Sequence, residues 1–586
     1  MPNSKTPYDV IIIGAGVAGC SLAHALASTP RKEPLRIALV ERSLEEPDRI
    51  VGELLQPGGV MSLQQLGLEH CLEEIDSIPV HGYCVTEKEK IVHIPYPAGH
   101  KGRSFHHGKF ITNLRNAAKK AKGVDVIEAT VNDLIESDQR IIGVAATKKN
   151  ATDNEKISLY AHLVIVADGC FSNFRTKVMG PRVCNPVTKS YFVGVILNDA
   201  TLPYQYHGTV CLTESAGPVL LYQIGTHDTR MLVDVKAPVP SDLKPYLGKS
   251  CNLRKMPNSF LPSVMQGGNE FGTKEGVFLV GDAWNMRHPL TGGGMTVAFN
   301  DIVILRDILA QVGDFSRWDE IREGLRRWHW DRKSLASTVN ILSVALYDLF
   351  GANDDNLEVL RTGCFKYFEL GGECVNGPVS LLAAVIQSPA TLFYHFFSVA
   401  FYSIWVMFTH PRLLERAPGS KPRLIAPSLA QYPFLFAKAI IVIWTAILVF
   451  VPLLWTEIRA SPTSNAFLNP SKVLASCPPL AWLRTAANCA EGAVKRPTIC
   501  ARSVSSEGPP LLSDLEQGRH AGVSSFYQAE QDQRFSPPAP SQFLQRFFRD
   551  GMEHCGPLLE EQRLKERGRE QAGRGQRILQ RSAENG

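Results

Sequence analysis

The chain has 586 residues, with 62 Lys and Arg against 57 Asp and Glu for a formal charge of +5, and 44% of it is hydrophobic. That composition excludes a wholly disordered chain, a collagen-like chain and a simple coiled coil. So small a charge gives no basic face for nucleic acid, and the 13 cysteines include no C-x-x-C pair, which argues against a zinc module or a dithiol redox motif and for reduced thiols facing the cytosol.

In chain order, the first element is a strand at Tyr8 to Ile13, a β-branched run suited to burial on both faces. Asp9 at its head, with Gly14 and Gly16 interrupting it, argues against a secretory signal. The turn Gly14-Ala15-Gly16-Val17-Ala18-Gly19 follows, then an alanine- and leucine-rich helix from Cys20 to Ser28, then a strand from Arg36 to Val40 ending at Glu41-Arg42. Gly14 permits the tight turn, Gly16 lets a pyrophosphate approach the backbone, and Gly19 lets helix and strand pack closely. The helix N-terminus attracts the phosphates, and Glu41 accepts from ribose hydroxyls. At this point the unit predicts a dinucleotide, either FAD or NAD.

Strand-like runs at Val124 to Glu128, Ile141 to Ala146 and Leu163 to Val166 extend this sheet or an attached one, the last leading to Asp168-Gly169. From Ser190 to Val235 alternation predicts a second, β-rich unit. A buried strand returns at Gly276 to Val280, and a helix-rich stretch runs from Met295 to about Phe368. Residues 379–409 and 434–456 are apolar and aromatic; the second run is long enough to cross a hydrocarbon core, whereas the first is interrupted at Pro389 and carries His395. Anchoring in one leaflet and crossing stay open as alternatives. Beyond about Ala460, Pro, Ser, Gly, Gln and Arg dominate, which predicts a disordered appendage.

Val280-Gly281-Asp282-Ala283, with Pro289-Leu290-Thr291-Gly292-Gly293-Gly294-Met295 after it, resembles the second FAD signature of flavoprotein monooxygenases. In that signature the Asp meets the ribityl region and the glycine turn lies against the flavin. Val166-Ala167-Asp168-Gly169 resembles their Asp-Gly motif. Either Asp alone reads equally well as a helix N-cap; three motifs in this order point to FAD.

Longer stretches carry a more specific resemblance: Glu46 to Gly59, Phe105-His106-His107-Gly108, Asn285 to Phe299, and Leu370-Gly371-Gly372-Glu373-Cys374-Val375. Over about Tyr8 to Arg459 the chain resembles the squalene epoxidase family. The resemblance implies an α/β fold: a Rossmann-like FAD-binding domain with an inserted β-rich substrate domain and C-terminal membrane-associated helices. The boundaries it implies are 1–185 and 266–335 for the two parts of the FAD-binding domain, 186–265 for the substrate domain and 336–459 for the helical region; the appendage read from composition takes 460–586.

The implied reaction is FAD-dependent epoxidation of squalene with O2 through a flavin C4a-hydroperoxide, in sterol biosynthesis. NADPH is the reductant, acting through NADPH-cytochrome P450 reductase, and the site is the endoplasmic reticulum membrane with the catalytic body facing the cytosol. No metal and no catalytic triad are called for. Beyond the two glycine turns, FAD contacts would fall on Val17, Ala18, Glu41, Arg42, Arg49, Arg115, Val131, Asp282 and Met295; surface ion pairs are the alternative for Arg49 and Arg115. Tyr83 and Gln56 would form a hydrogen-bonded pair that orients rather than transfers protons. Squalene would be lined by Phe192, Val210, Leu212, Tyr222, Leu290, Phe350, Phe365, Phe368, Pro378, Leu381 and His395. By composition alone these residues are indistinguishable from core. Two departures from the pattern stand out: a shortened connection at 247–253 and the tail after Arg459.

Overall fold

The computed structural model describes residues 7–458, apart from 88–89, 150–153, 181–184, 214–216, 237–252, 268–272, 352–353, 411, 415–422 and 426. The 460–586 tail and nearly all of the 247–253 connection therefore lie outside the described residues.

The chain opens with β1 (Tyr8–Ile13), α1 (Val17–Ser28) and β2 (Ile37–Glu41), followed by β3 (Leu54–Leu55), α2 (Pro57–Gln65), β4 (Ile78–Val80), β5 (Gly82–Glu87), β6 (Lys90–Pro95), β7 (Gly102–Ser104) and α3 (His107–Lys120). Three long strands come next, β8 (Val124–Ser137), β9 (Arg140–Lys149) and β10 (Asn154–Val166), then the short α4 (Arg175–Met179). After β11 (Val187–Asn198), β12 (His207–Leu212), β13 (Val219–Gln223), β14 (Asp228–Lys236) and β15 (Arg254–Phe260), the chain returns to β16 (Val277–Leu279). The rest is helical except for a short hairpin: α5 (Gly294–Leu309), α6 (Trp318–Asp331), α7 (Lys333–Phe350), α8 (Asp355–Glu369), α9 (Glu373–Leu382), α10 (Pro389–Thr409), β17 (Arg412–Leu414), β18 (Arg423–Ile425) and α11 (Tyr432–Ile458).

β1 is central because it is apolar on both faces. It pairs in parallel with β2 on one side and β10 on the other, while β8 lies beyond β2 and β16 beyond β10, all parallel. Five carboxyl ends thus face one edge, where open α/β sheets bind their ligands. Beyond Glu128 and before Ala161 the long strands β8 and β10 leave the parallel sheet and pair antiparallel with β9. The core of this part gathers Ile, Val, Leu and Ala from β1, β2, β10 and α1 with aromatic residues such as Phe110 of α3, Phe278 of β16, Phe299 of α5 and Trp328 of α6.

A second sheet has the order β15-β11-β14-β13-β12-β5-β6. It is not confined to residues 186–265, since β5 joins β12 in parallel and brings β6 with it from the first hundred residues. The alternation from Ser190 to Val235 shows four of the seven strands of this sheet, because the register His207↔Gly82 joins residues with no local signal between them. β14 and β15, which flank the shortened connection, both pair with β11 on opposite sides. Helices α7, α8 and α9 cover one face of this sheet: Tyr347, Phe350, Phe365 and Val379 pack with Phe192, Val210, Leu220 and Tyr222. α10 and α11 pack against α7 and α8 in turn.

Candidate active site

The crevice at the carboxyl edge of the parallel sheet is built from backbone before side chains. A Cβ on Gly19 would fall 1.8 Å from the Gly14 carbonyl oxygen, so α1 approaches β1 as closely as it does only with glycine there. Gly16 has no atom within 4 Å of where a side chain would begin, nor has Gly294 at the start of α5, so both turns face open space. Glu41, at the end of β2, accepts from the Ala15 N–H at 2.7 Å and the Arg42 N–H at 3.0 Å, which leaves lone pairs for ribose hydroxyls. Arg115 braces the same turn, donating to Ala15 O at 3.0 Å and Glu45 O at 2.9 Å, with Glu41 3.9 Å away. Val17 and Ala18 form the first turn of α1; a Cβ on Gly281 would touch that of Ala18 at 3.1 Å, so the first and second signatures meet. Val131 sits on β8 three residues past the end of the parallel pairing.

Asp168 and Asp282 follow β10 and β16 on the same edge. Asp168 Oδ2 accepts from the Asn173 N–H at 3.1 Å while its buried Oδ1 has no partner, and burial pushes its carboxyl up. Asp282 lies half-exposed 3.8 Å from Arg49, whose Nε is likewise buried and unpartnered. Arg175 ties the two motifs together, donating to Ala283 O at 2.7 Å and to Cys170 O and Asp282 O at 3.2 Å each. His107, with Nδ1 2.8 Å from Gly52 O, is held neutral: burial, then Arg49, pushes it down to about 4. Open space at two glycine turns, exposed amides at a helix N-terminus, an unpartnered buried oxygen and an unpartnered buried guanidinium nitrogen fit a dinucleotide carrying phosphates, hydroxyls and a flavin ring.

Behind the Gly292-Gly293-Gly294 turn, Gln56 and Tyr83 are bonded as expected, the Gln56 amide donating to the Tyr83 hydroxyl. Gln56 Nε2 also donates to Thr291 O at 2.6 Å, and Tyr83 donates to the same carbonyl at 3.4 Å. Tyr96 completes the cluster, donating to Gln56 Oε1 at 2.6 Å, with its ring edge-on to Tyr83 at 5.9 Å. Gly292 holds φ +60°, and a Cβ there would crowd Leu54 at 2.9 Å and Gln56 at 3.2 Å. Burial raises both phenols, that of Tyr96 well above its ordinary value, so both stay protonated donors. Met295, buried in the first turn of α5, comes within 4.0 Å of a Cβ built on Gly52.

Adjoining this cluster, Phe192, Val210, Leu212, Tyr222, Leu290, Phe350 and Phe365 share one buried apolar group that includes Tyr83 and Tyr96, with Phe368 packed against it. Leu381 belongs to the neighbouring group with Phe260, Leu392 and Phe450, and Pro378 lies within α9. His395 on α10 meets the Tyr367 hydroxyl at 3.1 Å. One ion pair is sealed beside the apolar group: Arg230 grips Glu53 at 2.7 and 2.9 Å, and the Tyr222 hydroxyl donates to Glu53 at 3.1 Å.

Comparison with known proteins places this arrangement. A family model described as squalene epoxidase matches residues 160–418, and one described as an FAD binding domain matches 7–238. The squalene epoxidase of Aspergillus fumigatus is 45% identical over 490 residues, covering 77% of this chain and 93% of that one. This chain belongs to the squalene epoxidase family. Squalene monooxygenase of Mus musculus is 39% identical over 481 residues, covering 78% of each chain. Among solved structures, a flavin-dependent brominase superposes with a TM-score of 0.51 at 14% identity over 68% of this chain and 99% of its own, a likeness of fold alone.

For this squalene epoxidase family member, sequence reasoning missed Tyr96, Arg175 and the Glu53–Arg230 pair. Tyr96 precedes a proline and reads as a turn residue. The other two act over 107 and 177 residues of separation, where no local pattern exists.

Proposed function

We propose that the protein is the FAD-dependent monooxygenase that converts squalene, O2 and reducing equivalents from NADPH into 2,3-epoxysqualene and water in sterol biosynthesis. The observation that carries this is the join at Thr291-Gly292: the FAD crevice and the buried apolar group meet there, in a chain of the squalene epoxidase family. Bound FAD supplies reductive activation of O2 and delivery of one oxygen atom to an alkene. The chain's own residues position and exclude. Gln56, Tyr83 and Tyr96 hold the glycine turn from behind through the Thr291 carbonyl, and the apolar group desolvates an alkene that offers no polar handle. With both phenols protonated and no acid or base required at the double bond, Tyr83 and Gln56 act as positioning residues.

NADPH-cytochrome P450 reductase as electron donor and the cytosolic face of the endoplasmic reticulum as location complete the reading. Among the described residues two helices, Pro389–Thr409 and Leu429–Ile458, are long and apolar enough to cross a membrane. Yet α10 packs along α8, which carries Asp355, Glu358, Arg361, Lys366 and Glu369 and has no place in hydrocarbon. Exposed Phe401, Trp405, Phe436, Ile440, Trp444 and Trp455 form the opposite face, which favours insertion into one leaflet. Replacing Trp405, Trp444 and Trp455 together by Ser should release the protein from phosphatidylcholine vesicles in a flotation assay; unchanged flotation would count against that face.

Purified protein with FAD, NADPH, the reductase and squalene should yield the epoxide by mass spectrometry. If the bound FAD is reduced normally and no squalene product forms, the substrate assignment fails. Asp282→Ala should leave protein without flavin; a fully flavinated variant would remove Asp282 from the site.

A further inference from the structure

The last turn of α11 ends not in lipid-facing residues alone but in a buried carboxylate. Glu457 is 3% exposed, whereas its neighbours Trp455 and Ile458 are 44% and 52% exposed. Its Oε2 pairs with Lys333 Nζ at 2.8 Å and accepts from Ser337 at 3.0 Å; its Oε1 accepts from Asn340 Nδ2 at 2.9 Å. That same Asn340 nitrogen reaches Asn285 Oδ1 at 3.3 Å, where Arg287 at 2.8 Å and Arg332 at 3.0 Å also converge. Arg332 is completely buried and closes on Asp301 at 2.8 and 2.7 Å. Finally, the Asn285 N–H donates to Gly281 O at 2.9 Å, in the turn that presents Asp282.

We propose that Glu457 is a positioning residue of the FAD site, acting through Asn340 and Asn285 on the Gly281-Asp282 turn, so that the end of the apolar helix is part of what retains the flavin. Three cations, Arg287, Arg332 and Lys333, crowd around Asn285 and α7, against Asp301, Asp282 and Glu457. Without Glu457, Lys333 is an uncompensated charge beside two buried guanidinium groups. The field it exerts is relieved by moving Asn340 or Asn285, and a shift of the Asn285 backbone is passed to the Gly281 carbonyl through its N–H. An apolar helix that needed only to dock would end as well on Leu or Ala. The inference rests on the FAD assignment and is independent of the substrate.

A charge cycle tests it with full-length apo-protein titrated with FAD by flavin fluorescence quenching, alongside circular dichroism. Glu457→Gln and Lys333→Met should each weaken FAD binding by about tenfold, as for a buried pair broken on one side, and the Lys333→Met/Glu457→Gln double variant should return to within about threefold of the parent. A role in packing alone predicts the reverse, with the double variant the worst. Singles that bind FAD within twofold of the parent, or a folded double variant no better than the weaker single, would overturn the proposal. Where a single variant does not fold, the folded double variant decides by the same measure.

Discussion

The FAD crevice and the apolar group behind it meet at one carbonyl and are built on opposite rules. In the crevice, backbone sets the geometry: Gly19 has no room for a methyl group, Glu41 holds the Ala15 amide, and Arg175 joins the Asp168 and Asp282 motifs. Each position takes one residue type because a particular donor, acceptor or absence of atoms is required. In the apolar group, Phe192, Val210, Leu290, Phe350 and Phe365 contribute volume, and volume can be redistributed among neighbours. The crevice is therefore specified and brittle, and the apolar group interchangeable and tolerant.

The most severe test of that contrast is Gly19→Ala. A methyl group 1.8 Å from a carbonyl oxygen must push α1 off β1, so the variant should lose FAD entirely and about 3 kcal/mol of stability by urea unfolding. If it keeps flavin, the crevice is not brittle. A comparable effect should come from acid. His107, neutral in the fold down to about pH 4 against about 6.5 unfolded, contributes stability that is present above pH 6.5 and is lost as pH falls through 4, about 3 kcal/mol in all. Thermal melts between pH 7 and 4 should show this slope, reduced in His107→Phe.

At the join itself, Tyr83→Phe removes the hydroxyl's bonds with Gln56 and Thr291, Tyr96→Phe removes its bond to Gln56, and each should lower kcat by up to about tenfold with flavin content unchanged. Parent activity should show no loss from phenol ionisation below about pH 10, because burial raises both groups. The mildest change should be Phe365→Leu, an apolar swap costing about 1 kcal/mol and raising KM for squalene a few-fold. A loss of flavin there would erase the distinction between the two regions.

The same contrast explains what could be read from the amino-acid sequence. The first glycine turn and Glu41 were legible because the chemistry of a dinucleotide demands them at set distances from strand ends, Asp168, Asp282 and the second glycine turn through their resemblance to flavoprotein signatures, and the fold brings all of them to one edge. Phe192 or Leu290 could be assigned to substrate only by family resemblance, since a lining Phe and a core Phe obey the same periodicity. Tyr96 and Glu53 were illegible because their partners are fixed by tertiary pairing. Strands β5 and β6 were missed because β5 finds its place beside β12 only across some hundred intervening residues, so neither shows a nearby mate.

β1 has a consequence for how the protein matures. It precedes its partners in the chain: β10 pairs Ile11 with Val164, and the sheet is closed only when Val277 reaches Val164. If Glu457 then steadies the Gly281 turn from the far end of α11, the crevice opened by the Gly14 turn waits for nearly the last described residue. Loading of FAD then belongs after α11 has been made, and nascent chains stalled short of α11 should emerge colourless.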